Sequence, residues 1–199
     1  MDIGVLGGTF DPVHLGHLII AEEARLRLGL SQVVFVPAGQ PWLKQDSDIS
    51  PGEHRLEMIR LAIAPNAFFR ASTVDLERPG PSYTVDTLAA LKRELGQEAN
   101  LYFILGMDAL AGLPTWKEPQ KIVELCHLVA AKRSEAKDLD LDSLQRSIPG
   151  ISSRVIILDN PLIDISSSDI RHRVAEGKSI HEMVPEAVER SIRERRLYI

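Results

Sequence analysis

The chain is expected to fold as an α/β protein built on a doubly wound parallel sheet of five to six strands. Three observations predict it. Apolar runs of strand length recur along the 199 residues, they alternate with segments of helical periodicity, and most are continuous rather than alternating. A continuous apolar run suits a strand covered by helices on both faces, as in a parallel sheet.

Strands are expected at Ile3–Leu6, Val33–Val36 (closed by Pro37), Phe68–Val74 (the weakest), Leu101–Leu105, Leu128–Ala131 and Val155–Leu158. Helical spacing of apolar residues covers Leu15–Leu28, and Gly29 stands where a C-terminal stop belongs. Ser50-Pro51-Gly52-Glu53 reads as a capping box with proline at the first helical position, opening a helix to about Ala64. Further helices follow at Tyr83–Leu95 (stopped by Gly96), Glu118–Leu125 and Leu141–Ile148. Ser166-Ser167-Ser168-Asp169 can cap another, and Pro185 starts the last. The length suits one domain over 1–199, with the helices of about 166–199 packed on the sheet. The loop from Ala38 to Ser50 is long enough to act as a flap.

Bulk properties exclude several classes. The net charge of −5 argues against broad nucleic-acid binding, which shows as a basic surface. It leaves room for a small anionic substrate, because a local pocket field can oppose the global charge. The single cysteine, Cys126, excludes an intramolecular disulfide and reads as a buried, inert thiol where a helix hands over to a strand. No cysteine and histidine spacing resembles a zinc site. No apolar run is long enough to span a bilayer, and the N-terminus carries no charged region or cleavage signal. A cytoplasmic protein without membrane partners is expected, its oligomeric state left open.

The chemistry concentrates at two places. Gly7-Gly8-Thr9-Phe10-Asp11-Pro12-Val13-His14-Leu15-Gly16-His17 follows the first strand. Glycines let backbone N–H groups approach an anion, and a helix N-terminus adds partial positive charge. With Leu15 opening the helix, His17 lies in its first turn and His14 just outside it, on the same side. The turn is not a dinucleotide fingerprint: G-x-G-x-x-G is absent, and Pro37-Ala38-Gly39 stands where the acidic residue after the second strand belongs. The phosphate-binding loop of P-loop kinases is absent too. The second place is Ile165-Ser166-Ser167-Ser168-Asp169-Ile170-Arg171, three hydroxyls at a helix start with a guanidinium about one turn on. A cap accounts for one serine and the aspartate, and read alone the segment is equally a cap or an anion site.

Together these two segments resemble the signatures of the nucleotidylyltransferase superfamily, T/H-x-G-H and I-S-S-x-x-I-R. Within it the chain resembles the bacterial nicotinate mononucleotide adenylyltransferases over nearly its whole length. His54-Arg55-Leu56-Glu57-Met58, Ser82-Tyr83-Thr84-Val85-Asp86-Thr87-Leu88, Gly106-Met107-Asp108 and Leu113-Pro114-Thr115-Trp116-Lys117 support the likeness. The resemblance implies a Rossmann-like fold and adenylyl transfer from ATP to nicotinate mononucleotide. It implies that Gly8, Thr9 and Phe10 line the nucleotide pocket, that His14 and His17 meet the ATP phosphates, and that Gly106 and Asp108 approach the ribose. Ile165, Ser167, Ser168 and Arg171 close over adenine and the outgoing phosphates. Thr84 and Trp116 hold the pyridine ring and its carboxylate, and Lys44 and Arg133 assist on phosphate. His14, His17, Lys44 and Arg171 are the catalytic candidates. Mg²⁺ is expected to ride on ATP, with no metal cage supplied by the protein. Family members often read P-P-H-K before the flap lysine, whereas this chain has Pro41-Trp42-Leu43-Lys44.

Without the likeness, Trp116 reads as a loop anchor in the core; with it, as a stacking partner for an electron-poor ring. The alternatives are a transferase of the same superfamily acting on nicotinamide mononucleotide, phosphopantetheine or a cytidylyl acceptor, and a non-catalytic nucleotide sensor.

Overall fold

The computed structural model describes residues 1–42, 49–131, 139–158 and 165–199. The strands are β1 (Asp2–Gly8), β2 (Gln32–Pro37), β3 (Phe69–Ala71), β4 (Asn100–Gly106), β5 (Cys126–Ala131) and β6 (Val155–Leu158). They form one sheet in the order β3-β2-β1-β4-β5-β6, and every pairing is parallel. The helices are α1 (Leu15–Leu28), α2 (Gly52–Ile63), α3 (Val74–Glu77), α4 (Thr84–Leu95), α5 (Met107–Ala111), α6 (Pro119–Leu125), α7 (Leu141–Ser147), α8 (Ser167–Ala175) and α9 (Glu186–Glu194).

The pleat sends neighbouring strand residues into two separate cores. Ile3, Val5, Leu101, Phe103 and Leu128 face one core, closed by Val85, Leu88 and Leu91 of α4, Ile122 of α6 and Leu144 of α7. Leu6, Val33, Phe35, Ile104 and Val129 face the other, closed by Ala21 and Ala24 of α1, Met58 and Ile59 of α2, Ile170 of α8, and Val188 and Ile192 of α9. Helices on both faces make the continuous apolar runs of β1, β2, β4 and β5 intelligible, while the edge strands β3 and β6 keep exposed positions at Arg70 and Ile157.

Local signals hold at most element ends. Gly29 caps α1 in the left-handed conformation, φ 63°, where a Cβ would be strained. Ser166 caps α8 by accepting from the Asp169 N–H at 3.0 Å. Cys126 is buried where α6 meets β5; its thiol lies 3.3 Å from the Ile122 carbonyl, and burial pushes its pKa up to about 12.

Two expectations are corrected. The third strand spans Phe69–Ala71, shorter than Phe68–Val74. It is an edge strand paired to β2 alone; Phe68 is half-exposed under the Arg25 guanidinium at 4.2 Å, and Val74 already opens α3. The capping box at Ser50 does not form. Pro51 is the N-cap of α2, and the Ser50 main chain is engaged elsewhere, its N–H by Asp11 and its carbonyl by Arg55.

Gly4 in β1 stands where neighbouring side chains leave little room for another. A Cβ on Gly4 would stand 3.0 Å from Val33 Cγ2, 3.1 Å from Leu30 Cδ1 and 3.3 Å from Ile104 Cδ1. β-propensity alone favours valine there; packing opposes it. We expect Gly4→Val to lower stability by about 1–3 kcal/mol, measured by urea unfolding.

Candidate active site

The order in which successive strands are laid down changes side at β1, which lies between β2 and β4. In such sheets the crevice opens beyond the carboxyl ends of the strands at that reversal. Gly7 and Gly8 end β1 there, and Gly106 ends β4 beside them, the register running Leu6 to Ile104. A Cβ on Gly106 would meet nothing within 4 Å, so this edge of backbone is open to a ligand. Asp108 follows, exposed in the first turn of α5.

The segment after β1 is held from behind. The Phe10 side chain is turned into the core, which leaves its backbone at the surface of the turn. Its ring is buried, 2% exposed, against Phe35 at 5.9 Å and edge-on to His17 at 4.9 Å. Its backbone is left-handed, φ 53°, a costly conformation for an aromatic residue. Gly8 makes room for it, since a Cβ there would stand 3.2 Å from Phe10 Cζ. Arg55 of α2, also 2% exposed, donates from Nη1 to the Thr9 carbonyl at 2.7 Å and from Nε to the Ser50 carbonyl at 2.8 Å. Burial lowers its pKa, and the nearby Asp11 and Tyr198 oppose that shift.

His14 is the N-cap of α1 and His17 its third residue, with ring centroids 3.7 Å apart. The main-chain N–H of His14 donates to His17 Nδ1 at 3.2 Å. A nitrogen that accepts carries no proton, so the neutral His17 ring holds its proton on Nε2, as a donor. The Leu15 N–H is taken by the Met183 carbonyl at 2.9 Å, tying this helix start to the segment before α9.

The start of α8 docks on the same turn. Ser167 Oγ donates to the Pro12 carbonyl at 2.9 Å, and Arg171 Nη1 donates to the Asp11 carbonyl at 2.7 Å. Arg171 Nη2 lies 3.4 Å from Ser168 Oγ. Ile165 packs half-buried against the second core. The three serines thus divide: Ser166 caps, Ser167 docks, and Ser168 stands beside the guanidinium.

On the other side of the β1 end lies a cavity with mainly apolar walls. Gly7, Gly8, Thr9 and Phe103 form its floor, Trp42 and Trp116 its aromatic walls, and Ser82, Thr84, Thr87 and Asp75 its polar side. Trp116 follows the tight turn Leu113–Thr115 and meets Phe103 edge-on at 6.3 Å, so it is both a core contact and a cavity wall. Tyr83 packs on Trp42 at 5.8 Å and sits under Lys117 Nζ at 4.8 Å. Thr84 is the first residue of α4, so its amide and that of Val85 have no acceptor within the helix and suit an anion.

Four residues here, Ser82, Asp75, Thr87 and Trp42, escaped the sequence reading of the site. Ser82 Oγ accepts from the Gly39 and Gln40 N–H groups at 2.9 and 3.2 Å, clasping the loop after β2. Asp75 is buried, which raises its pKa, against the pull of Thr87, Arg78 and Ser82. Thr87 Oγ1 stands 2.8 and 2.9 Å from its two oxygens, and Arg78 Nη2 is 2.8 Å from Oδ1. Trp42 stands where the family pattern has proline, and only the folded chain shows it lining the same cavity as Trp116. Lys44 and Arg133 lie outside the described residues, as does the middle of the expected flap. Among the described residues no group of three or more His, Cys, Asp or Glu side chains could hold a metal ion, and no helix is long and apolar enough to cross a membrane.

Thr87→Val keeps the shape of the side chain and removes the donor from Asp75. We expect a loss of about 1–3 kcal/mol, seen as a lower urea midpoint with unchanged slope, and near-complete recovery in Thr87→Ser.

Comparison with known proteins agrees with this geometry. The family model described as cytidylyltransferase-like matches residues 5–173. A protein of Dehalococcoides mccartyi (strain CBDB1) named "Probable nicotinate-nucleotide adenylyltransferase" is 48% identical over 195 residues, covering 98% of this chain and 96% of its own. A protein of the same name from Roseiflexus sp. (strain RS-1) is 48% identical over 196 residues, covering 98% and 97%. Among solved structures, Plasmodium falciparum nicotinic acid mononucleotide adenylyltransferase complexed with NaAD superposes with a TM-score of 0.79 over 99% of this chain and 97% of its own. At 21% identity that likeness speaks for the fold alone. Identity of 48% over 98% of the chain, together with a family model that matches residues 5–173, leads to one assignment: the chain belongs to the nicotinate-nucleotide adenylyltransferase family and to the wider cytidylyltransferase-like family.

Proposed function

We propose that this protein transfers the adenylyl group of ATP to the phosphate of nicotinate mononucleotide, releasing pyrophosphate and forming nicotinate adenine dinucleotide. One observation carries the reading. The β1–α1 turn and the start of α8 are bonded to each other through Arg171 and Asp11, next to a cavity walled by two tryptophans and closed by a helix N-terminus.

The attacking group is a phosphate oxygen, ionised at neutral pH, so no general base is needed. A bond forms from that oxygen to the α-phosphorus of ATP, and the bond from the α-phosphorus to the bridging oxygen breaks. The difficulty is electrostatic: two polyanions must meet, and charge must be accommodated on the leaving pyrophosphate. Alignment in one crevice contributes on the order of 7–11 kcal/mol. A helix terminus contributes only about 0.3–2 kcal/mol. Positioning therefore dominates, and His14, His17 and Arg171 tune the charge, with Lys44 and Arg133 as further phosphate contacts. Mg²⁺ enters as part of the ATP substrate and keeps most of its waters.

The nucleotide lies along Gly8, Thr9 and the backbone at Phe10, with Gly106 and Asp108 at its ribose and Ile165, Ser167 and Ser168 over its adenine and phosphates. The pyridine ring stacks on Trp116, and its carboxylate meets the first amides of α4 at Thr84. The reaction is cytoplasmic and calls for neither nucleic acid nor membrane.

Purified protein with MgATP should release pyrophosphate when given nicotinate mononucleotide. Release only with nicotinamide mononucleotide or phosphopantetheine would overturn the acceptor, and ATP binding without turnover would make the protein a sensor. His17→Ala should lower kcat by about 10²–10³-fold while leaving the KM for ATP within a few-fold, because the Nε2 proton acts on developing charge. Trp116→Ala should raise the KM for the acceptor by roughly tenfold with little change in the KM for ATP, and Trp116→Phe should fall between.

A further inference from the structure

Asp11 is 2% exposed, and three distant parts of the chain meet on it. Tyr198 OH donates to Oδ1 at 2.7 Å, the Ser50 N–H to Oδ2 at 3.2 Å, and Arg171 Nη1 to the main-chain oxygen at 2.7 Å. The division of labour is unusual. A guanidinium beside a carboxylate ordinarily takes the carboxylate, bidentately, and more strongly as water is excluded. Here Arg171 takes the neutral carbonyl of the same residue, while neutral donors occupy both carboxylate oxygens.

The chain adopts costly backbone to arrange this. Past α9, Arg196 and Tyr198 are left-handed, φ 51° and 67°, in residues for which that region is disfavoured. The Leu197 N–H bonds the Ile192 carbonyl at 3.0 Å between them. This double turn brings the phenol to Asp11. Burial and the Asp11 carboxylate both raise the pKa of Tyr198, so it remains a donor. Arg55 is a second cation near Asp11 among the described residues, and its Nη1 and Nε are engaged by the Thr9 and Ser50 carbonyls.

We propose that Tyr198 is a positioning residue for the adenylyl transfer: its hydroxyl holds the Asp11 carboxylate away from Arg171, so that the guanidinium is docked by a carbonyl and keeps its charge for the ATP phosphates. The proposal rests on the functional reading above only in taking those phosphates as the ligand. Without the phenol, Asp11 retains one donor and is free to turn onto Arg171, neutralising it.

A double-mutant cycle tests this. Calorimetric titration with MgATP reads the latch without any acceptor, so an error in the acceptor leaves the test intact; kcat/KM is measured alongside. Tyr198→Phe should weaken MgATP binding by about tenfold, with a melting temperature close to that of the wild type. Arg171→Ala should lose at least as much, and the double variant should match Arg171→Ala within about twofold, because Tyr198 acts through Arg171. Asp11→Asn in the Tyr198→Phe background should restore most of the affinity, since the competing charge is gone. Wild-type affinity in Tyr198→Phe, losses that multiply in the double variant, no recovery with Asp11→Asn, or a melting-temperature fall large enough to account for the loss would each overturn the proposal.

Discussion

Arg171 and the Asp11 carbonyl join two helix starts separated by most of the chain, and the candidate site depends on that contact. Neither half would serve alone. The β1–α1 turn supplies glycine backbone and imidazoles, and it is strained at Phe10. α8 supplies hydroxyls and a cation, and its start is placed by contacts with that turn. Ser167 on the Pro12 carbonyl, the Met183 carbonyl on the Leu15 N–H, and Ile170 in the core shared with Phe10 fix one against the other. Because each contact uses backbone oxygens or apolar surface, the charged head of Arg171 is oriented without being neutralised by a carboxylate.

The crevice has two unlike halves divided by the end of β1. One is polar and built from helix starts; the other is a mainly apolar cavity lined by Trp42 and Trp116 among others. This asymmetry matches a reaction that must grip a polyanion on one side and a flat ring on the other. It also explains why Gly7 and Gly8 occur as a pair. Gly7 faces Phe103, with 3.3 Å between a would-be Cβ and that ring, while Gly8 faces Phe10, so side chains here would crowd both faces of the sheet at once.

Much of the fold was legible because period and punctuation agree. The apolar runs of β1, β2, β4, β5 and β6 are flanked by helices whose stops, Gly29 and Gly96, stand at their predicted places. The edge strand β3 was overestimated because an edge has one partner, and composition does not say where pairing ceases. The missing cap at Ser50 has a similar cause: local capping lost to long-range bonds from Asp11 and Arg55. The convergence of the two signatures was legible from residue types that both suit phosphate. Ser82, Arg55 and Tyr198 were not, because each bonds a partner far away in sequence, and a buried arginine reads like a surface one until its acceptors are in place; Asp75 was not, because its burial comes only with the fold.

The burial of the Phe10 ring has a thermodynamic corollary. The loop that would cradle a nucleotide is continuous with the core formed by Phe35, Met58 and Ile59, so the ligand-ready backbone and the folded core are one cooperative unit. Any ligand that selects this left-handed loop is linked to global unfolding. At a hundredfold excess over its dissociation constant it would add about 2.7 kcal/mol to the stability of the whole protein. Saturation with substrate therefore protects the enzyme against heat and proteolysis throughout, far from the crevice itself.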